Sequence, residues 1–419
     1  MKYDIATNFD IKLLDYIKEY DKNQDIGSLY GKMKYDVMGG GRPSVMTPEV
    51  ELDSIEEYNQ RCSDIGIQFN YLLNPLCMGG KDTIPEEHRE IIDFITELYN
   101  RGIRAVTINS PYLCEIIREQ FPRMHITIGI YANVDSLVKI KYWMDMGANA
   151  VTLVHSLNRN FPLLKEILKY LKGTDFTIRL IGNNGCLHEC PYEINHGSSV
   201  AHASCRNSND CYIDYNLVNC YYKKIRNIEN LISSEWIRPE DVRFYENLCN
   251  EVGNQNLTIK LVERSKTTDY MKNVISAYLN QEYSGNLSEI MNWPEEMLVP
   301  VDPTGFLNKI EDGDLNLKIS HYYFDFYNVP IPQINNKLLD GFLEHFVNHY
   351  NCTEKVCWKS EDKDSESCDQ SCRYCYEWAK RAVRFEEEKE RQRWLINVQK
   401  LKKGLITSEM FRGLKVKGN

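Results

Sequence analysis

The sequence predicts an α/β protein organised as a (β/α)8 barrel of the TIM type. A long cysteine-rich loop follows the seventh strand, and a helical, cysteine-rich extension closes the chain. Three observations carry this. Eight short apolar runs recur over the first 290 residues. Amphipathic stretches of helical period separate them, as alternating strands and helices in a parallel sheet require. No Gly-x-Gly-x-x-Gly fingerprint follows any run, which sets aside the runner-up, an open doubly wound sheet.

The runs are YDIATNF (3–9), MKYDVMGGG (33–41), IQFNYLLN (67–74), IRAVTINS (103–110), ITIGIYAN (126–133), AVTLVHS (150–156), FTIRLIG (176–182) and LTIKLVE (257–263). The helical stretches carry their own punctuation. Asp10 is placed to cap the first, and Pro85 opens another. Glycines 66, 102, 147 and 173 close others. Segments 238–253 and 268–283 complete the set. The barrel is expected over 1–290, with its long loop at 183–237. The extension, 291–419, holds a cysteine group at 352–375 and a charged terminal helix.

Active sites of such barrels form at the C-terminal ends of the strands. Those ends offer Asn8, Asn70, Asn74, Asn109, Tyr131, Asn133, His155, Asn158 and Asn183, which read as a ring of amide donors and acceptors. Arg42, Arg159 and Arg264 are candidates to grip a carboxylate or phosphate in bidentate fashion. The run Gly39-Gly40-Gly41 would let backbone N–H groups approach an anion. His155, at the end of strand six, is the candidate acid–base group.

Fourteen cysteines are many for 419 residues. The N-terminus lacks a signal-peptide centre and no apolar run is long enough to span a membrane, so a cytoplasmic protein is expected, in which structural disulfides are rare. Cys62, Cys114 and Cys249 read as buried hydrophobes. Ten of the others form two groups: Cys186, Cys190, Cys205, Cys211 and Cys220, then Cys352, Cys357, Cys368, Cys372 and Cys375. Clustered thiols with distant partners are how loops wrap zinc or an iron–sulfur cluster. A zinc ribbon pairs Cys-x2-Cys with Cys-x2-Cys. Neither group does, so the spacing favours a 4Fe–4S cluster, with a second cluster or zinc expected at Cys357, Cys368, Cys372 and Cys375. The Cys368-x3-Cys372-x2-Cys375 spacing of radical S-adenosylmethionine enzymes lies too close to the chain end to precede a cofactor-binding barrel. His188, His196 and His202 in the first loop are further candidate proton donors or ligands. The net charge of −10 disfavours general nucleic-acid binding. No His-Glu-x-x-His or Gly-x-Ser-x-Gly is present, so hydrolytic machinery is not visible.

At NNGCLHECPYEINH (183–196), WIRPEDVRFYE (236–246) and AYLNQEYSGNLSEI (277–290) the sequence resembles the collagenase-like peptidase family of unknown catalytic type. LYGKMKYDVMGGGRPS, FNYLLN and VTINSPYL are similar too, and CRYCYEWAKRAV more weakly. The resemblance runs from about residue 25 to 290. It implies a barrel carrying a 4Fe–4S cluster on four cysteines. It also implies oxygen-independent hydroxylation of tRNA, ribosomal RNA or the ubiquinone ring, with prephenate as oxygen donor for some members. Cys186 and Cys190 match the first pair of ligands and Cys220 a later one. Cys205 is taken as the fourth, with Cys211 or Cys77 as substitutes. The expectation is therefore an iron–sulfur enzyme of anaerobic metabolism that oxidatively modifies a small molecule or nucleobase. It would be served by an electron donor or by a partner subunit of the same family. A peptidase, or a non-catalytic iron–sulfur subunit, are the alternatives.

Overall fold

The computed structural model describes residues 1–205, 214–294, 297, 304–357 and 371–412. Eight parallel strands close into a barrel. They are β1 (Lys2–Ala6), β2 (Ile26–Gly31), β3 (Gln68–Leu73), β4 (Ala105–Ile108), β5 (His125–Ile128), β6 (Ala150–Thr152), β7 (Thr177–Ile181) and β8 (Leu257–Leu261). β1 pairs with both β2 and β8, with Ile5 opposite Leu29 on one side and Leu261 on the other.

Seven of the eight runs coincide with strands. The second does not: β2 is the segment IGSLYG at 26–31, and 33–41 is the loop after it. Two glycines disguise this strand, whose Leu29 and Tyr30 are nonetheless buried. A helix at Pro111–Gln120, opened by the Ser110 cap, completes the βα alternation. Asp10 caps its helix by accepting from Lys12 N, and Pro85 is the first residue of its own. In the extension, the segment 336–350 is broken into a 3-10 turn (Asn336–Leu339) and a short helix (Glu344–Asn348), parted at Gly341.

Strand alternation divides two environments. Tyr3, Ile5, Leu29, Phe69, Tyr71, Val106, Ile126, Val151, Ile178 and Ile259 pack in the main core, shared with the helices. The intervening residues face the barrel axis, and many are polar. Asp4 pairs with Arg179 at 2.8 Å and accepts from Ser28 at 2.5 Å, and Thr107 donates to Asn70 at 2.7 Å. Above this polar layer, Ala6, Tyr30, Leu72, Ile181 and Val262 form a separate apolar cluster.

The extension is anchored on the barrel. Arg238, 1% exposed, forks onto Asp241 and reaches Asn336 O at 2.9 Å and Asp340 at 3.0 Å. Tyr350 donates to Ser156 O, and Arg391, on the terminal helix Glu388–Ile406, donates to Ile225 O.

Candidate active site at the barrel mouth

The long loop after β7 folds into helices Glu193–Ser204, Tyr215–Arg226 and Glu229–Ser233. Its first turn must pass tightly over the barrel. A Cβ on Gly182 would lie 2.8 Å from Ile259, so only glycine fits without displacement. Asn183 then staples the turn: its amide donates to Val262 O and Ile290 O, and its oxygen accepts from Val262 N. This delivers Asn184 and Cys186 to the mouth. Asp214 caps the helix Tyr215–Arg226 and also pairs with His196 at 3.1 Å. That helix carries Cys220 and, one turn on, Lys224 on the same face.

Together these elements enclose a cavity of about 690 Å³ at the C-terminal end of the barrel. Its floor is the apolar cluster of Tyr30, Leu72, Ile181 and Val262 with Lys260 among them. Phe306, Tyr323 and Phe326 of the extension roof it, with Phe306 stacked on Tyr323 at 4.4 Å.

Cys186, Cys190 and Cys220 all line this cavity. Burial pushes all three thiols up, Cys190 to about 11. Lys224 opposes that rise at Cys186 and Cys220, whereas the other thiols reinforce it at Cys190. The expected fourth ligand is not with them. Cys205 is exposed, with its sulfur against Gly39 and 3.9 Å from Met38 O. Cys77 accepts from Gly79 N at 3.4 Å in the loop after β3. Neither lines the cavity, and Cys211 lies outside the described residues. Among the described residues no three His, Cys, Asp or Glu side chains converge to hold a single metal ion.

His155 lines the cavity beside Cys186. The Asn184 amide donates to His155 Nε2 at 3.1 Å and to Cys186 Sγ at 3.2 Å. An accepting Nε2 leaves the ring proton on Nδ1, which is buried and has no partner. Burial lowers this imidazole's pKa, against the nearby Glu193 and Glu235 charges, so it stays neutral.

Arg42 and Arg264 also reach the cavity. Arg42 pairs through Nε and Nη2 with Glu263. Burial alone would raise the Glu263 carboxyl, but the Arg42 charge and hydrogen bond outweigh it and hold the group at about 2. Arg264 Nη1 is buried without a partner. Burial and the Arg179 charge bring the Lys260 amine down to about 7, its head 4.0 Å from the Tyr30 ring centroid.

Other expected residues have different work. Arg159 is 2% exposed, donates to Ile232 O and Ser234 O, and stacks over Trp236, Phe342 and Phe346, so it grips no ligand in this cavity. Asn183 is a turn staple, and Asn184 takes the place at the cavity expected of it. The asparagine ring is mostly a girdle: Asn8 holds Lys266 O, Asn109 holds Asn74 O, and Asn158 holds Ile181 O and Glu235 O. Of the ring's asparagines, Asn74 alone lines the cavity, where its Oδ1 is buried without a partner. Two N–H groups of the glycine run are engaged within the protein, Gly39 N donating to Asp36 and Gly40 N to Ser204, while Gly41 lines the cavity. Of the loop histidines, His196 lines the cavity, while His188 pairs with Glu235 at 2.5 Å. Glu193, Lys224, Lys260 and Glu263 were missed as site residues. For Lys260 and Glu263, strand parity beyond the apolar run was the available signal.

In the extension, Cys352, Cys357, Cys372 and Cys375 border one small hollow. Cys352 thus joins the expected group, and Cys368 lies outside the described residues. Cys62, Cys114 and Cys249 are buried, as expected.

The family model described as peptidase family U32 matches residues 46–289. An uncharacterized protease of Methanocaldococcus jannaschii is 26% identical over 375 residues, covering 88% of this chain and 94% of that protein. A solved U32 peptidase structure is 14% identical with a TM-score of 0.46, covering 63% of this chain and 93% of that one. An α-amylase from Lactobacillus plantarum, 6% identical with a TM-score of 0.33, covers 66% and 79%.

Proposed function

The chain belongs to peptidase family U32, and from that premise we propose an enzyme working at the mouth of its barrel, which hydroxylates a small molecule without dioxygen: the oxygen atom comes from a hydroxylated carboxylate donor, whose C–O bond is broken and which is reduced by two electrons as the acceptor C–H becomes C–OH. Cys186, Cys190 and Cys220 would hold an iron–sulfur cluster there. The observation that carries the reading is one cavity lined by three half-buried thiols and by three residues that each have a buried polar atom without a partner, Arg264 (Nη1), His155 (Nδ1) and Asn74 (Oδ1). Buried polar atoms are rarely left unpaired, so such atoms on a cavity wall call for a ligand.

The donor set fits a cluster. Three thiols crowded in a buried site are costly to ionise, and iron supplies the positive charge that stabilises thiolates. Bound there, a cluster would supply redox chemistry and a Lewis-acidic iron. The chain's own residues do the rest. Arg264 donates to the ligand's carboxylate, while Glu263 holds Arg42 beside it. His155 carries its proton on Nδ1 and, being neutral, exchanges it with a reacting group. Glu193, whose carboxyl burial raises, stands within electrostatic reach of that histidine as a proton reservoir.

The family's label and the relative named a protease favour a second reading, a peptidase. A cysteine peptidase needs a thiol whose pKa is depressed by a directly bonded histidine. Here Asn184 stands between His155 and Cys186, and burial raises the thiol.

The test is anaerobic purification with iron and sulfide counts, alongside a Cys186→Ser variant. Cell extract is then incubated with each protein without oxygen and searched by mass spectrometry for a product heavier by one oxygen. Iron lost with Cys186, and a product made only by the unaltered protein, are expected. A colourless, iron-free protein that cleaves gelatin would overturn the reading in favour of the peptidase.

A further inference from the structure

The last barrel strand, LTIKL, decides by its parity which side chains meet the barrel axis. Leu257, Ile259 and Leu261 pack outward in the main core. Lys260 therefore points inward, as alternation along a strand requires. There it lines the mouth cavity among Tyr30, Leu72, Ile181 and Val262, and it is 7% exposed.

This amine has no acid to pair with. Among the described residues, Lys260 Nζ makes no hydrogen bond and no ion pair, and it rests 4.0 Å from the centre of the Tyr30 ring. The Tyr30 hydroxyl is engaged elsewhere, donating to Leu261 O at 2.8 Å. Asp4, in the polar layer below, is taken by Arg179 at 2.8 Å and by Ser28 at 2.5 Å. Arg42 and Arg264 add charges of the same sign as the lysine's own. An ammonium buried against an apolar wall is costly, and the group is relieved by giving up its proton. Burial and the Arg179 charge, opposed by Asp4, accordingly bring the amine to about 7. A desolvated, neutral lysine is a nucleophile that condenses with carbonyl compounds.

Arg264, just beyond the strand, lines the same cavity, with Nη1 buried and unpartnered. A free amine and an unpaired guanidinium in one cavity match the two ends of a 2-oxo acid. We infer that Lys260 forms an imine with the carbonyl carbon of a small 2-oxo acid whose carboxylate Arg264 holds. The choice of an acid rests on the carboxylate site proposed above, whereas the covalent step does not. The amine lone pair adds to the carbonyl carbon and the C–O double bond opens. The oxygen then leaves as water with the two amine protons, so nothing is oxidised or reduced. Once protonated, the imine draws electrons from the adjoining bonds, which opens carbanion chemistry at the next carbon, an activity beyond hydroxylation.

The test incubates the full chain, purified anaerobically, with pyruvate and sodium cyanoborohydride, which reduces an imine to a stable secondary amine. Mass spectrometry should find a single adduct, with the mass of pyruvic acid less one oxygen, on the peptide holding Lys260. Lys260→Arg keeps the cation and should lose that adduct. Should it fail to fold, the peptide map of the unaltered protein decides alone. Arg264→Met should slow trapping roughly 10- to 100-fold, and acetone, a carbonyl without a carboxylate, should be trapped as slowly. No adduct, adducts spread over exposed lysines with Lys260 unmodified, or acetone trapped as fast as pyruvate would each overturn the inference. An iron count on the same protein separates this from the hydroxylase reading. Iron-free protein that traps pyruvate would support the imine and remove the cluster, and iron-loaded protein that traps nothing would overturn the imine alone.

Discussion

Replacing Glu263 with glutamine tests the electrostatics of the mouth. Its carboxylate is 4% exposed and pairs with Arg42, whose side chain is 30% exposed. It also accepts from Ser265 N at 3.2 Å. The distance between the ordinary 4.5 and the about 2 it has here corresponds to about 3 kcal/mol at neutral pH. The carboxyl's folded pKa is depressed, so its stabilisation is fully present above 4.5 and is lost as pH falls towards 2. Glu263→Gln should therefore lower the unfolding free energy by about 3 kcal/mol at pH 7, within the range for breaking a buried pair. At pH 2 the gap between the two proteins should close to less than about 1 kcal/mol. Urea titrations across that range, on protein first stripped of metal so that acid release does not enter, read the gap directly. A gap under about 1 kcal/mol at pH 7, or one that persists in acid, would mean that Arg42 and Glu263 are not the coupled pair described.

Three further outcomes follow from the same geometry. Arg264→Met should weaken binding of small hydroxy or keto acids by roughly 10- to 100-fold, the worth of one charge-assisted hydrogen bond; unchanged Kd values by calorimetry would remove Arg264 from the ligand site. Lys260 has its amine near 7 in the fold, against 10.5 unfolded. Unfolding between those values takes up a proton, and stability rises with pH. From pH 7 to 9 the unaltered protein should gain about 2 kcal/mol relative to Lys260→Met, and parallel urea midpoints would refute the buried, neutralised lysine. Arg238→Met should cost about 3 kcal/mol or more by leaving Asp241 buried and unpaired. It should also make the extension the first site of limited proteolysis, since Arg238 ties it to the barrel at Asn336 and Asp340.

The barrel was legible because β-strand and helix periods differ and each unit carried both. β2 was missed for a physical reason. A strand whose inward and outward sides are Ser28, Leu29 and Tyr30 between glycines has little apolar signal, and closure of the barrel supplies what sequence pattern lacks. The asparagines show a deeper limit. A side-chain amide that binds a ligand and one that staples a loop have the same composition and the same position at a strand end. Only the partner tells them apart, and Asn183 and Asn158 turn out to hold carbonyls. Arginine behaves likewise: Arg42 and Arg264, after β2 and β8, reach the mouth, and Arg159, after β6, does not. Cysteine was more readable because crowding of thiols has no cheaper explanation. Even so, chain spacing did not place Cys205, whose helix carries it towards Gly39.

The charge of the mouth bears on the size of the substrate. The chain carries a net −10, yet the cavity gathers Arg42, Lys224 and Arg264, with Lys260 only partly charged at neutral pH, against Glu193, Asp214 and Glu263. Burial raises the Glu193 carboxyl and so weakens even that opposition. A polynucleotide is held by cations spread along its backbone and pays for every acidic surface it crosses. A small anion meets only the pocket, whose walls are apolar and whose field is concentrated by low dielectric. Under the proposed function, cations gathered in a pocket of an acidic chain favour a compact carboxylate over an RNA strand as the ligand.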